Sequence, residues 1–211
     1  MTIKSLFAAV TAVIQIALLP LLLNPGLVFS GPLIALLALI LVMAGLAHFA
    51  KPLWWTVAAL ILAVISSSAN WTLLPLALAQ IGLGLLLATQ KMSPLLKASG
   101  WQLEVLFLQL LLSASITHGL TITALIINCL FAALMLLLIW AERLPFAATI
   151  IGLLAILGIG FWQQQFTLLF ALITLACSGI LTVRHWAKQP GVIAWTQISL
   201  SALLYLVRLH G

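Results

Sequence analysis

Charged side chains are scarce in this chain of 211 residues, and acidic ones are almost absent. It contains no aspartate, its only acids are Glu104 and Glu142, and all charged residues together make up 5% of the sequence. A water-soluble domain carries roughly 25% charged residues, so this composition excludes a soluble globular protein. The sequence also offers no carboxylate pair for acid–base catalysis, since Glu104 lies in the fifth predicted span and Glu142 follows the sixth.

Residues that bind metals or form disulfides are equally few. The two cysteines, Cys129 and Cys177, lie inside apolar runs and are predicted to be small buried side chains. The four histidines are far apart and have neither an acid nor a cysteine at helical spacing, so the sequence predicts no metal site and no cofactor. A G-x-S-x-G motif is also absent, which argues against a serine hydrolase.

Long apolar runs make up nearly the whole chain, and 65% of its residues are hydrophobic. Nine runs are separated by short gaps, and each is long enough for a helix that crosses much of a ~30 Å hydrocarbon core. We therefore predict an all-α, polytopic transmembrane bundle that forms a single integral membrane domain over residues 1–211. The nine predicted spans cover residues 5–23, 33–48, 53–66, 71–89, 101–116, 120–140, 145–161, 167–183 and 191–209.

Lysine and arginine fall in every second gap between these runs, and only Arg208 departs from the pattern. Cationic loops stay in the cytoplasm during insertion, so the alternation predicts a cytoplasmic N-terminus and an exterior C-terminus in a cell (inner) membrane. No cleavage motif follows the first run, which predicts a retained first span. The cytoplasmic interface is predicted to contain five charged residues, Lys51, Glu104, Glu142, Arg143 and Arg184.

The formal charge of +6 is spread over several gaps instead of forming one patch. This distribution suits anionic headgroups and argues against binding of nucleic acid. The predicted partners are therefore membrane lipids or a membrane protein.

Uncharged amides are the polar groups predicted to lie at membrane depth. The candidate polar face consists of Gln80, Gln109, Asn128 and Gln197. Amides that face lipid are costly, so these side chains should point into the bundle. Two interpretations remain open: hydrogen bonding between helices, or a lining for a polar headgroup or a small solute.

From Lys51 onward the chain resembles the YhhN family of eight-span membrane proteins, which includes the lysoplasmalogenases. The likeness rests on the entry Lys51-Pro52-Leu53, on seven following helices with basic gaps, and on the final Tyr205-Leu206-Val207-Arg208. It implies a hydrolase that uses two aspartates, which would align near Leu87-Ala88 and Ser178-Gly179. Because this chain has no aspartate, the acid chemistry implied by the resemblance is missing here.

The function that we predict is therefore non-enzymatic: the protein handles a lipid or an apolar small molecule, or supports a membrane partner. Two alternatives stay open. One is a degenerate or altered lysoplasmalogenase-like hydrolase, and the other is a small-solute transporter, which short loops and intramembrane amides permit.

Overall fold

The computed structural model describes residues 3–24, 29–48, 52–183 and 190–210, and these residues form an all-α structure. Two short 3₁₀ turns, Ser67–Ala69 and Trp71–Leu73, precede the fourth α-helix. The α-helices in the described part of the chain are α1 (Ile3–Leu23), α2 (Gly31–His48), α3 (Pro52–Ser66), α4 (Leu74–Thr89), α5 (Pro94–Ile116), α6 (Ile122–Trp140), α7 (Phe146–Trp162), α8 (Leu168–Val183) and α9 (Pro190–His210).

Several helices have the length and composition of membrane spans, so the chain is a membrane protein. Four shorter helices are also apolar, namely α2, α3, α7 and α8. The helices that are long and apolar enough to cross a membrane lie within Ser5–Leu23, Trp71–Thr89, Pro94–Ile116, Ile122–Trp140 and Gly191–Leu209.

The chain divides into two compact units, unit 1 (Met1–Thr121) with α1 to α5 and unit 2 (Ile122–Gly211) with α6 to α9. In unit 1, α2 contacts all four other helices. Its residues Leu39, Ile40 and Met43 are completely buried. A helix that is apolar on all sides suits this central place. That residues 1–211 form a single membrane domain stays a prediction.

Unit 2 is organised around α6, which contacts α7, α8 and α9. Phe131 of α6 lies 6.1 Å, between ring centroids, from both Phe166 and Phe170. Gly160 of α7 makes room for this cluster, because a Cβ atom at that position would lie 2.1 Å from the Phe166 ring. The core of unit 2 therefore depends on aromatic packing beside a residue without a side chain.

The prediction of a helical chain is confirmed, with one large difference at a helix boundary. The fifth helix begins at Pro94 and not at Trp101. Ser93 is its N-cap and accepts a hydrogen bond from the Leu96 N–H at 3.4 Å, and Pro94 occupies the first turn, where a missing N–H costs nothing. Lys97 is exposed in the next turn, so a charge at this position did not mark a loop.

Candidate functional site

The buried amides of unit 1 tie α1 to α5. Gln15 of α1 donates from Nε2 to Gln102 Oε1 at 3.4 Å, and its Oε1 accepts a hydrogen bond from Trp101 Nε1 at 3.4 Å. Gln109, two turns further along α5, donates to the Gln15 carbonyl at 3.0 Å. Gln15, Gln102 and Gln109 are all at most 2% exposed, so this network is a direct connection between two helices.

The four residues of the candidate polar face are all buried, at 2% exposure or less. Gln80 and Gln109 lie on α4 and α5 in unit 1, whereas Asn128 and Gln197 lie on α6 and α9 in unit 2. The structure gives Gln109 a partner that the sequence did not suggest, the Gln15 carbonyl. That the four residues form one continuous face stays a prediction.

Replacing Gln109 by leucine is expected to lower the free energy of unfolding by about 0.5–2 kcal/mol, because hydrogen bonds between membrane helices contribute this much. Unfolding of purified protein in mixed micelles at increasing denaturing detergent measures the effect. Gln90→Leu is the matched control, since Gln90 is exposed just after α4. Equal stability of the two variants would show that the Gln109 bond contributes nothing.

The predicted span 101–116 placed Glu104 in the first turn of its helix, but the structure places it further along the helix. Counted from Pro94 it is the eleventh residue of the 23-residue α5, about 15 Å along the axis at 1.5 Å per residue. Its side chain is only 1% exposed, and neither carboxylate oxygen has a hydrogen-bond partner. The prediction was wrong about the position in the helix because it started α5 too late.

A glycine on the neighbouring helix provides the space for this carboxylate. A Cβ atom built on Gly84 of α4 would lie 2.9 Å from Glu104 Oε1, 2.5 Å from Met43 Cε and 3.3 Å from Leu46 Cδ2. The pocket is therefore formed by α2, α4 and α5 of unit 1, and the neighbouring side chains from α2 are apolar.

The other residues predicted at the cytoplasmic interface are less informative. Glu142 and Arg143 are exposed in the turn that follows α6. Lys51 and Arg184 lie outside the described residues. That these residues share one membrane face with Glu104 stays a prediction.

Hydroxyl groups of α8 form a buried stripe that sequence reasoning missed. Thr174 and Ser178 are completely buried, and their side-chain oxygens have no hydrogen-bond partner. They continue the line of buried Phe170 at intervals of four residues, which places all three on one face of the helix. This spacing is visible in the sequence, where Ser178 was singled out only because it lies near the position of a family aspartate.

A shallow groove of about 610 Å³ runs between α8 and α9 in unit 2. Its wall is mainly apolar. The Thr196 hydroxyl donates a hydrogen bond to the Val192 carbonyl of its own helix at 2.8 Å. The lining residues include Cys177, Ile180, Leu181, Gly191, Val192 and Trp195. Cys177 and Cys129 are both exposed, so the prediction that the cysteines are buried was wrong. An apolar run predicts a helix, but it does not predict which side of that helix faces outward.

Arg208, the cation that departs from the alternating pattern, binds within unit 2. One of its guanidinium nitrogens donates to the carbonyl and to the side-chain oxygen of Gln165, at 3.0 and 3.1 Å. Gln165 belongs to the turn between α7 and α8. The C-terminal end of α9 and this turn therefore lie at the same end of unit 2.

Within the described ranges, no group of three His, Cys, Asp or Glu side chains could hold a metal ion. The chain matches no protein-family model, and no curated protein or solved structure is significantly similar to it.

Proposed function

We propose that this chain is a multi-pass inner-membrane protein with nine spans, a cytoplasmic N-terminus and an exterior C-terminus. The alternation of cationic gaps supports this topology. The contact between Arg208 and Gln165 supports it as well. Gln165 lies in a cation-free gap that this topology makes exterior, and Arg208 is then held on the same side as that gap.

Its function, in our proposal, is to bind a membrane lipid without chemical conversion. The observation that carries this is the α8–α9 groove, whose apolar wall and open side suit an acyl chain. In the sequence, Arg184 and Lys188 fall in the connection between the two helices that form the groove. Cationic residues in a connection of a membrane protein favour an anionic phospholipid, since each contributes about 1 kcal/mol near a charged membrane surface.

A hydrolase has less support than a lipid-binding protein. Of the two acids in the chain, Glu104 is enclosed within unit 1 and Glu142 is exposed in a turn. General acid–base catalysis requires a titratable group within hydrogen-bond reach of the substrate. Among the described residues, those that line the groove include no acid and no histidine.

Filling the groove is expected to reduce the bound lipid several-fold. Gly191 lines the groove, and a Cβ atom there meets no atom within 4 Å, so Gly191→Phe adds a ring at the groove. Protein purified in mild detergent, extracted and analysed by lipid mass spectrometry gives the amount of phospholipid per protein. We expect anionic phospholipid to decrease more than zwitterionic phospholipid.

Gly158→Phe is the matched control, because Gly158 of α7 also has open space around it and does not line the groove. It should retain as much lipid as the unaltered protein. Equal retention by both variants would contradict binding at the groove. Equal loss in both variants would assign the effect to the added ring and not to the site.

A further inference from the structure

The Glu104 carboxyl group lies in a buried site where the described residues donate no hydrogen bond to it. Both carboxylate oxygens of Glu104 and Oε1 of Gln80 are buried without a hydrogen-bond partner. Gln80 lies one turn before Gly84, on the face of α4 that this glycine presents to Glu104. Unpartnered acceptor oxygens on these two packed helices are unfavourable, because a buried polar group without a partner costs about 1–3 kcal/mol.

A single proton removes this imbalance. A neutral carboxyl group carries no charge and has one O–H donor, so it suits a site beside Gly84 where the nearest side chains of α2, Met43 and Leu46, are apolar. An ionised carboxylate in the same place would have neither a counter-charge nor a donor. Isolated buried charges are avoided in proteins, and the group takes up a proton instead.

We propose that the Glu104 carboxyl, seated over Gly84, is a proton-binding site in the interior of unit 1. Release of the proton leaves a charge against the methyl groups of α2, and the packing of α4 against α5 must then loosen or admit water. Proton binding is thereby linked to the contact between these helices. This inference is independent of the lipid-binding function proposed for the groove in unit 2.

Among the side chains that the structure describes, no titratable group on the helices around this pocket neutralises the carboxylate. The helices α3 and α4 carry none, and Lys97 and His118 are exposed at opposite ends of α5. Lys91, in the connection before α5, is exposed as well. The remaining two, Lys4 of α1 and His48 of α2, have side chains outside the described residues.

A proton suits this pocket better than a metal cation does. A sodium or calcium ion needs several oxygen ligands around it. The three atoms nearest to a Cβ atom at Gly84 are one carboxylate oxygen and two methyl carbons. A proton needs only the carboxylate itself.

Labelling with dicyclohexylcarbodiimide tests the proposal, because this apolar reagent enters membranes and reacts with protonated carboxyl groups. The carboxyl proton passes to a carbodiimide nitrogen while the carboxylate oxygen bonds to the central carbon. The full-length protein in lipid vesicles is treated over a range of pH and analysed by peptide mass spectrometry. We expect an adduct on Glu104 that decreases as the pH rises, and no adduct in Glu104→Gln.

The chain supplies matched controls for this reaction. Glu142, the only other acid, is exposed, and it should react with a water-soluble carbodiimide while Glu104 does not. Gly84→Ala places a Cβ atom 2.9 Å from Glu104 Oε1 and should slow labelling several-fold, whereas Gly82→Ala, which meets no atom within 4 Å, should not.

Two results would overturn the proposal. The first is folded protein in which Glu104 remains unlabelled by the apolar reagent at every pH. The second is protection of Glu104 by sodium chloride but not by potassium chloride at equal ionic strength, which would identify a sodium site. Equal labelling rates in Gly84→Ala and Gly82→Ala would overturn the assigned geometry.

Discussion

Phe131→Ala is expected to lower the free energy of unfolding of unit 2 by about 3 kcal/mol. Phe131 is completely buried and contacts the rings of Phe166 and Phe170. Removal of such a ring from a water-soluble core costs about 3–5 kcal/mol, partly from transfer to water and partly from the cavity. A lipid reference state removes most of the transfer contribution, so lost packing contacts dominate and the lower end of the range applies.

Phe161→Ala is the matched control, because Phe161 is 55% exposed on α7. Its removal should change stability by less than about 0.5 kcal/mol, as for most surface substitutions. Detergent-induced unfolding of both variants, followed by circular dichroism, measures the difference. A similar loss of stability in the two variants would contradict an aromatic core around α6.

Much of the helical architecture was predictable from the sequence, because continuous apolar runs leave helices as the economical structure in lipid. The limits of the apolar runs placed most helix ends within about three residues of those in the structure. The start of α5 was the exception, since Lys97 and Trp101 suggested a membrane boundary while Ser93 and Pro94 formed the true cap. Because the N-cap was misjudged, the prediction placed Glu104 near the start of the helix instead of near its middle.

The contacts of the candidate site were less predictable than its members. Burial of Gln109 followed from the cost of an amide in lipid, but its partner on α1 depends on how distant helices pack. The space over Gly84 could not be read from the sequence either, because glycines serve many purposes in membrane helices. The exposure of Cys177 likewise depends on the rotation of α8, which a uniformly apolar run does not specify.

A test of the topology is expected to give an all-or-none result, since a reporter fused to the chain lies either in the cytoplasm or outside it. Seven of the eight cationic residues fall in alternate gaps, and cationic loops resist translocation. An odd number of spans then leaves the two ends of the chain on opposite sides. Within the described ranges, five helices have the full length of a span, so this prediction depends on the shorter helices α2, α3, α7 and α8 also crossing the membrane.

Paired fusions of alkaline phosphatase and green fluorescent protein after Gly211 test the nine-span membrane protein most directly. Alkaline phosphatase is active only outside the cytoplasm. Green fluorescent protein that is exported in an unfolded state does not fluoresce outside the cytoplasm. We predict an active phosphatase and a dark fluorescent protein after Gly211, with the reverse for fusions at Lys97 and Lys188. A fluorescent, phosphatase-inactive fusion after Gly211 would contradict the nine-span topology.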